Sequence, residues 1–198
     1  FTTCNSKHNH NSHSFACIFT QFILIPTPMF NPTAIIDQMD YHQSVFTGLL
    51  QNIPTEKQAW KPDAEQWSLL EIVCHLYDIE GEDFRIRVQY VLDDPQKTLP
   101  SIHPTTWPVE RNYLGQNFEQ KVADFLAERQ KSITWLRSLQ DPQWDNTYQH
   151  PTLGPMSAAL FLTNWLAHDQ LHIRQINRVH RQYLQQQTGM DLNYAGNW

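Results

Sequence analysis

The sequence predicts an all-α protein, a four-helix bundle with long crossover connections, and three observations carry that reading. Apolar residues recur at three- and four-residue spacing in four separate stretches. Proline- and glycine-bearing breaks divide those stretches. No internal repeat and no strand-rich stretch competes with them, so the four amphipathic segments must bury their apolar faces against one another.

The first segment, "PTAIIDQMDYHQSVFTGLLQNI", sets Ile35, Ile36, Met39, Val45, Phe46, Leu49 and Leu50 near one face. Pro54 and Pro62 break the chain after it. The second begins at Ser68, where "SLLE" reads as a capping box: the Ser68 hydroxyl caps the helix and Glu71 reaches back to the first amide. It continues through "IVCHLYDIEGEDFRIRVQYVL" to "DDP", with Gly81 inside it at a cost of about 1 kcal/mol against alanine. The third, "FEQKVADFLAERQKSITWLRSL", aligns Phe118, Val122, Phe125, Leu126, Ile133, Leu136 and Leu139. The fourth follows the turn "HPTLGP" and runs from about Ser157 to about Gln187, ahead of Gly189. The connections between segments two and three, and three and four, exceed the usual ~2–8 residues of bundle loops. Such lengths permit a helix to cross over rather than return beside its predecessor.

The chain has 198 residues, enough to bury one core without disulfides or a structural metal. Its 14 Lys and Arg against 20 Asp and Glu leave a formal charge of −6, which excludes a basic footprint for nucleic acid. Cys4, Cys17 and Cys74 are too few and too scattered for a disulfide framework or a thiolate zinc site, so the expected compartment is the reducing cytoplasm. Residues 1–28 differ in kind. "NSKHNHNSHS" is polar and aperiodic, and "FACIFTQFILI" is far shorter than the roughly 20 apolar residues that span a bilayer. Lys7 alone makes a weak n-region and "PTPMF" offers no small-x-small cleavage site, so a signal peptide is not favoured. The expectation is a disordered or non-native extension over 1–28 and one domain over 29–198. His8, His10 and His13 read as part of a disordered polar tract, with adventitious metal binding as the alternative.

The chemistry concentrates in "NWLAHDQLHIRQI", residues 164–176. At about 100° per residue, His168 and His172 lie about 40° apart and one turn along, so both imidazoles can reach one point. Their neighbours on that face, Phe161, Trp165, Leu171 and Val179 with Asn164 and Gln175, are mostly apolar, so the face points inward. Inward histidines must be neutral and hydrogen-bonded, or metal-bound. His75, on the face of segment two that carries Glu71, Ile72, Asp78, Ile79, Glu82 and Ile86, adds a third. Three imidazoles from two helices make a catalytic type of metal set, because a closed structural site would have four ligands. "HDQLH" is not the H-E-x-x-H of zinc proteases: Asp169 replaces the glutamate, and His180 is wrongly spaced for a third ligand.

"WSLLEIVCHLYDIEGEDFRIR" resembles the first signature of the DinB superfamily, and "HPTLGPMSAALFLTNWLAHDQLHIRQI" resembles the second, a late helix carrying H-x-x-x-H. The closing "LNYAGNW" is similar to the tail of many members. The resemblance covers Thr33 to Trp198. It implies a four-helix bundle with crossed connections and a divalent metal on three histidines, which map onto His75, His168 and His172. It also implies a homodimer, as in many members. Characterised relatives include metal-dependent hydrolases, thiol S-transferases using bacillithiol and a mycothiol-dependent isomerase.

A divalent ion on three neutral imidazoles keeps its full charge and acidifies a bound water or thiol. Either route wants a nearby acid or base. Glu82, two turns from His75, is the candidate catalytic residue, and Asp78 could serve or orient an imidazole. The bland alternative is a solvated acidic stretch, "DIEGED", favoured for Glu80 and Asp83. Cys74 reads as core, and His150 either borders the pocket mouth or is an exposed loop residue. Two function classes follow. One is a hydrolase or thiol S-transferase using Zn or Ni, or else Fe or Mn, with a low-molecular-weight thiol in the second case, acting on a small molecule. The other is a non-catalytic metal-binding or structural bundle. Neither a nucleic acid nor a membrane partner is expected. The remaining expectation concerns assembly: Leu162, Leu166 and Ile173 form a second apolar stripe opposite His168, which either meets a second copy or is covered within the chain.

Overall fold

A computed structural model of the chain describes residues 29–196 and residue 198. The extension read over 1–28, with its histidines and two cysteines, lies outside the described residues. Four long rods make the bundle. They are α1 (Pro32–Leu50), the composite of α3 (Leu69–Ile79), a π-helical turn (Glu80–Phe84) and α4 (Arg85–Asp93), then α6 (Phe118–Ser138) and α7 (Ala158–Thr188). Single helical turns, α2 (Thr55–Gln58) and α5 (Trp107–Glu110), lie in the connections. No helix among the described residues is long and apolar enough to cross a membrane.

The helix starts follow local rules. Asn31, Ser68, Asn117 and Ser157 each accept a backbone N–H of the first turn through their side chains. The capping box is complete: the Glu71 amide donates to Ser68 Oγ at 3.2 Å, and the Ser68 amide donates to Glu71 Oε2 at 2.8 Å. At the far end of α7 Gly189 adopts φ +65°, the left-handed conformation that closes a helix with least strain for glycine.

α1 packs against α6 and α7, α3 packs chiefly against α6, and α4 against α7. The order around the bundle is therefore α1, α6, α3–α4, α7. Helices consecutive in sequence face each other diagonally at two connections, 51–68 and 139–157, whereas 94–117 joins neighbours. Crossovers do occur, as expected, but loop length alone did not identify where: the 94–117 loop is long without crossing. A short antiparallel hairpin, β1 (Thr147–His150) with β2 (Gly154–Ser157), was not anticipated. Its four-residue strands are too short to be stable alone. They are tied down because the Ala158 and Ala159 amides donate to Asn146 and Trp144 carbonyls, and Asn146 Nδ2 donates to the Leu92 carbonyl.

The core divides into two apolar clusters. One gathers Phe46, Leu50, Leu69, Leu76, Ile79, Phe125 and Ile176; the other gathers Met39, Val88, Val91, Ile133, Leu136, Leu162 and Trp165. The second stripe on α7 falls inside this packing. Leu162 is fully buried, and Leu166 and Ile173 are half-buried against the two clusters, so contacts within the chain cover much of the stripe.

Gly81 has a packing reason. A Cβ there would lie 3.2 Å from both Arg85 Nη2 and Glu128 Oε1, an ion pair joining the composite rod to α6. The π-helical turn brings the backbone that close, and the glycine permits it.

Candidate metal centre

Between the two apolar clusters lies one polar layer, with a residue from each rod. Each occupies a core-facing position: His42 between Met39 and Phe46, Glu80 after Ile79, Arg129 between Phe125 and Ile133, Asp169 between Trp165 and Ile176. Arg129 donates four hydrogen bonds, two to Glu80 at 2.8 Å and two to Asp169 at 2.6 Å. His42 Nδ1 donates to Asp169 Oδ2 at 3.0 Å, and Trp165 Nε1 donates to Glu80 Oε2 at 2.9 Å. Burial would raise the Asp169 carboxyl, yet Arg129 holds it below the usual range. Burial likewise disfavours the guanidinium, but Glu80 and Asp169 more than compensate and keep it charged. α6 and α7 are diagonal to each other, and only a long side chain such as arginine spans that gap. Glu80 was expected in a solvated stretch; at 1% exposure it is among the most buried groups of the chain.

Asp169 stands between two of the three candidate ligands, and the layer therefore holds the α7 turn that carries them. His168 Nε2 lies 3.5 Å from His75 Nε2 and 3.0 Å from His172 Nε2. The ligand atoms of all three lie within 4.8 Å of one another. The fit to a divalent cation can be tested from these positions. Nitrogens about 2.0–2.1 Å from a tetrahedral ion are about 3.3 Å apart, close to the two spacings seen. His172 Nδ1 donates to Gln175 Oε1 at 2.7 Å, which leaves the Nε2 lone pair facing the cluster. No fourth His, Cys, Asp or Glu joins the set among the described residues. The donors fit a divalent ion.

The imidazoles are also in the protonation state a ligand needs. Burial, followed by the neighbouring histidines, pushes His75 down to about 3; burial and His172 bring His168 down to about 3; burial lowers His172 as well. Trp67 and Phe84 wall the centre, with ring centroids 4.9 Å from His75 and 5.0 Å from His168 respectively. A pH dependence follows for the chelator-treated chain. The unfolded chain takes up these protons near pH 6.5 and the folded chain does not. Stability is thus intact above about pH 6.5 and falls as the pH drops toward 3, by up to about 1.4 kcal/mol per histidine per pH unit. Urea midpoints at pH 7 and pH 5 measure this, and equal midpoints would contradict it.

The structure brings His75, His168 and His172 together and places Glu82 elsewhere. Glu82 is exposed and accepts a paired set of hydrogen bonds from Arg111, at 2.8 and 2.9 Å. Its predicted position assumed 100° per residue through "DIEGED", but the chain there forms the π-helical turn, which delays the rotation. Asp78 is buried against Tyr113 and Arg111, likewise away from the histidines. Of the acidic residues in "DIEGED", Asp83 is the one that lines a cavity beside the centre. It pairs with Arg87, and the cavity, of about 470 Å³, contains His168, Phe84, Met156 and His150. Burial raises its carboxyl, with Arg87 opposing. Cys74 is core, as read, and burial pushes its thiol up to about 12. His150 is half-buried; its Nδ1 accepts the Thr152 and Leu153 amides in the hairpin loop.

Two of these residues left a trace in the sequence. Arg129 interrupts the apolar face of α6 four residues from both Phe125 and Ile133, and His42 interrupts that of α1. A lone polar group on a buried stripe demands partners. Asp83 left none, because its direction depends on the π-helical turn.

A family model, the DinB superfamily, matches residues 38–176. Among solved structures, YfiT from Bacillus subtilis is similar with a TM-score of 0.68 and 15% identity, over 84% of this chain and 95% of that one. It is described as "a probable metal-dependent hydrolase with an unusual four-helix bundle topology". At that identity the likeness establishes the fold and nothing finer. No curated protein matches the sequence.

Proposed function

The chain belongs to the DinB superfamily, and on that premise we propose that it is a divalent-metal-dependent hydrolase acting on a small molecule at His75, His168 and His172. The observation that carries the reading is the convergence of three neutral Nε2 atoms with no fourth protein ligand among the described residues, beside two open cavities. The description of YfiT points the same way. Imidazole donors at this spacing suit zinc or nickel, with iron as a further candidate. When bound, the ion supplies Lewis acidity, polarising a substrate oxygen and acidifying a water or thiol beside it.

The chain's own residues do the rest. Gln175 holds His172 in the ligating tautomer, and the Arg129 layer fixes the α7 turn. Trp67 and Phe84 exclude bulk water from two sides. We assign the proton transfer to Asp83, which shares a cavity with His168 and whose carboxyl burial raises against the pull of Arg87: a carboxylate oxygen would accept a proton and return it to a leaving group. Thiol transfer is the second reading, because the two cavities meet at His168 and Leu171 and could receive a thiol and an electrophile from opposite sides.

Cobalt-substituted protein separates these enzyme readings from a closed structural site. Its visible bands shift on adding azide if a coordination position is open to solvent. Bands indifferent to azide, with no metal-dependent cleavage of chromogenic esters, would leave a structural bundle as the better account. In the enzyme, Asp83→Asn lowers turnover about 10²–10⁴-fold with the metal retained.

A further inference from the structure

We propose that the second cavity beside the histidines binds the anionic end of the substrate, a carboxylate or phosphate, through Arg174, Arg178 and Arg181. The cavity has a volume of about 890 Å³, with His75, His168 and His172 toward one end and the three arginines along α7 toward the other. The chain has eight arginines. Arg85, Arg87, Arg111, Arg129 and Arg137 each pair with a carboxylate. The remaining three have no ion pair among the described residues, and all three line this one cavity. Glu65, the carboxylate at its rim, pairs with none of them. A chain of net charge −6 thus keeps its unmatched guanidinium groups together next to the candidate metal centre.

A second observation points to an acceptor. Arg181 Nε is buried without a hydrogen-bond partner on this wall, where the guanidinium lies 5.7 Å from the Trp198 ring centre. A donor in that state is satisfied by an anion or a water. Helix geometry sets the scale. Arg174 and Arg178 stand about 9 and 15 Å along the axis from His168, and side chains on a helix lean back toward its N-terminus, here toward the histidines. A molecule about 10 Å long could hold its anionic group on the arginines with its reacting bond at the centre. The cavity on the other side of His168 is more apolar, and its one arginine, Arg87, is already neutralised by Asp83; the charged end is therefore directed to the unmatched arginines of α7.

The position of the reacting bond rests on the proposed metal function, but anion binding does not require the ion. The test is calorimetric titration of the full chain, metal-loaded and chelator-treated, with inorganic phosphate and separately with succinate at low salt. Metal-free wild type should bind at least one probe, which also tells phosphate from carboxylate recognition. Arg174→Ala/Arg178→Ala should weaken that binding at least about tenfold, the loss of a charge-assisted hydrogen bond, with metal content unchanged. Arg137→Ala, which removes one positive charge from α6 outside this cavity, should bind as wild type does. Failure of metal-free wild type to bind either probe overturns the proposal. So does equal weakening by Arg137→Ala, or binding that needs the ion and survives loss of both arginines. Arginine-dependent binding by a wild type that takes up no metal would instead overturn the metal function and leave the anion site standing.

Discussion

His168→Ala should lower the affinity for a divalent ion by more than about 100-fold, and His75→Ala and His172→Ala should do the same. Loss of a group that merely orients a ligand already costs about 10–100-fold, and these substitutions remove a donor from a set of three. His168 is the central member, 3.0 and 3.5 Å from the other two nitrogens, so its loss leaves the pair furthest from a common point. The chain should still fold. His168 is half-buried and outside the Arg129 layer, so its truncation leaves that layer's hydrogen bonds intact. Elemental analysis of purified wild type and the three variants, with circular dichroism as the check on folding, decides the matter. Metal at wild-type level in all three would end the assignment of these histidines.

The second large effect lies where no chemistry occurs. Arg129→Met should destabilise the protein by about 3–5 kcal/mol, because it leaves Glu80 and Asp169 buried without their cation. In a domain of this size that is a fall in Tm of roughly 10 °C. The same substitution should weaken metal binding, since Asp169 lies between two ligands and moves with them. Combining Arg129→Met with Glu80→Gln and Asp169→Asn should recover much of the stability, as neutral groups cost less to bury unpaired. Thermal and urea unfolding of the single and triple variants measure both effects. A single variant within about 1 kcal/mol of wild type would mean the layer is not held by its charges.

Much of the centre was legible because it is written locally. His168 and His172 share a helix face by spacing alone, and His75 lies about two turns into a helix whose start is fixed by Ser68 and Glu71. The acid beside the centre was not legible in the same way. Glu82 and Asp83 are adjacent in sequence, and which of them approaches the cavity depends on whether the backbone there turns as an α- or a π-helix. The π-helical turn holds Gly81 close to the Arg85–Glu128 pair, a contact that exists only once α6 has packed.

The sequence by itself determined the four rods, their caps and the faces that carry the three histidines, because caps and apolar periodicity act over three to seven residues. Only the tertiary structure decided which rods are diagonal, that Arg129 meets Glu80 and Asp169, that the α7 stripe packs largely within the chain, and that Arg174, Arg178 and Arg181 find no ion pair among the described residues. Those outcomes depend on groups tens of residues apart, His42 and Asp169 being separated by 127 positions. No local rule relates such groups. Their pairing is settled by the requirement that every polar group brought into the core find a partner there.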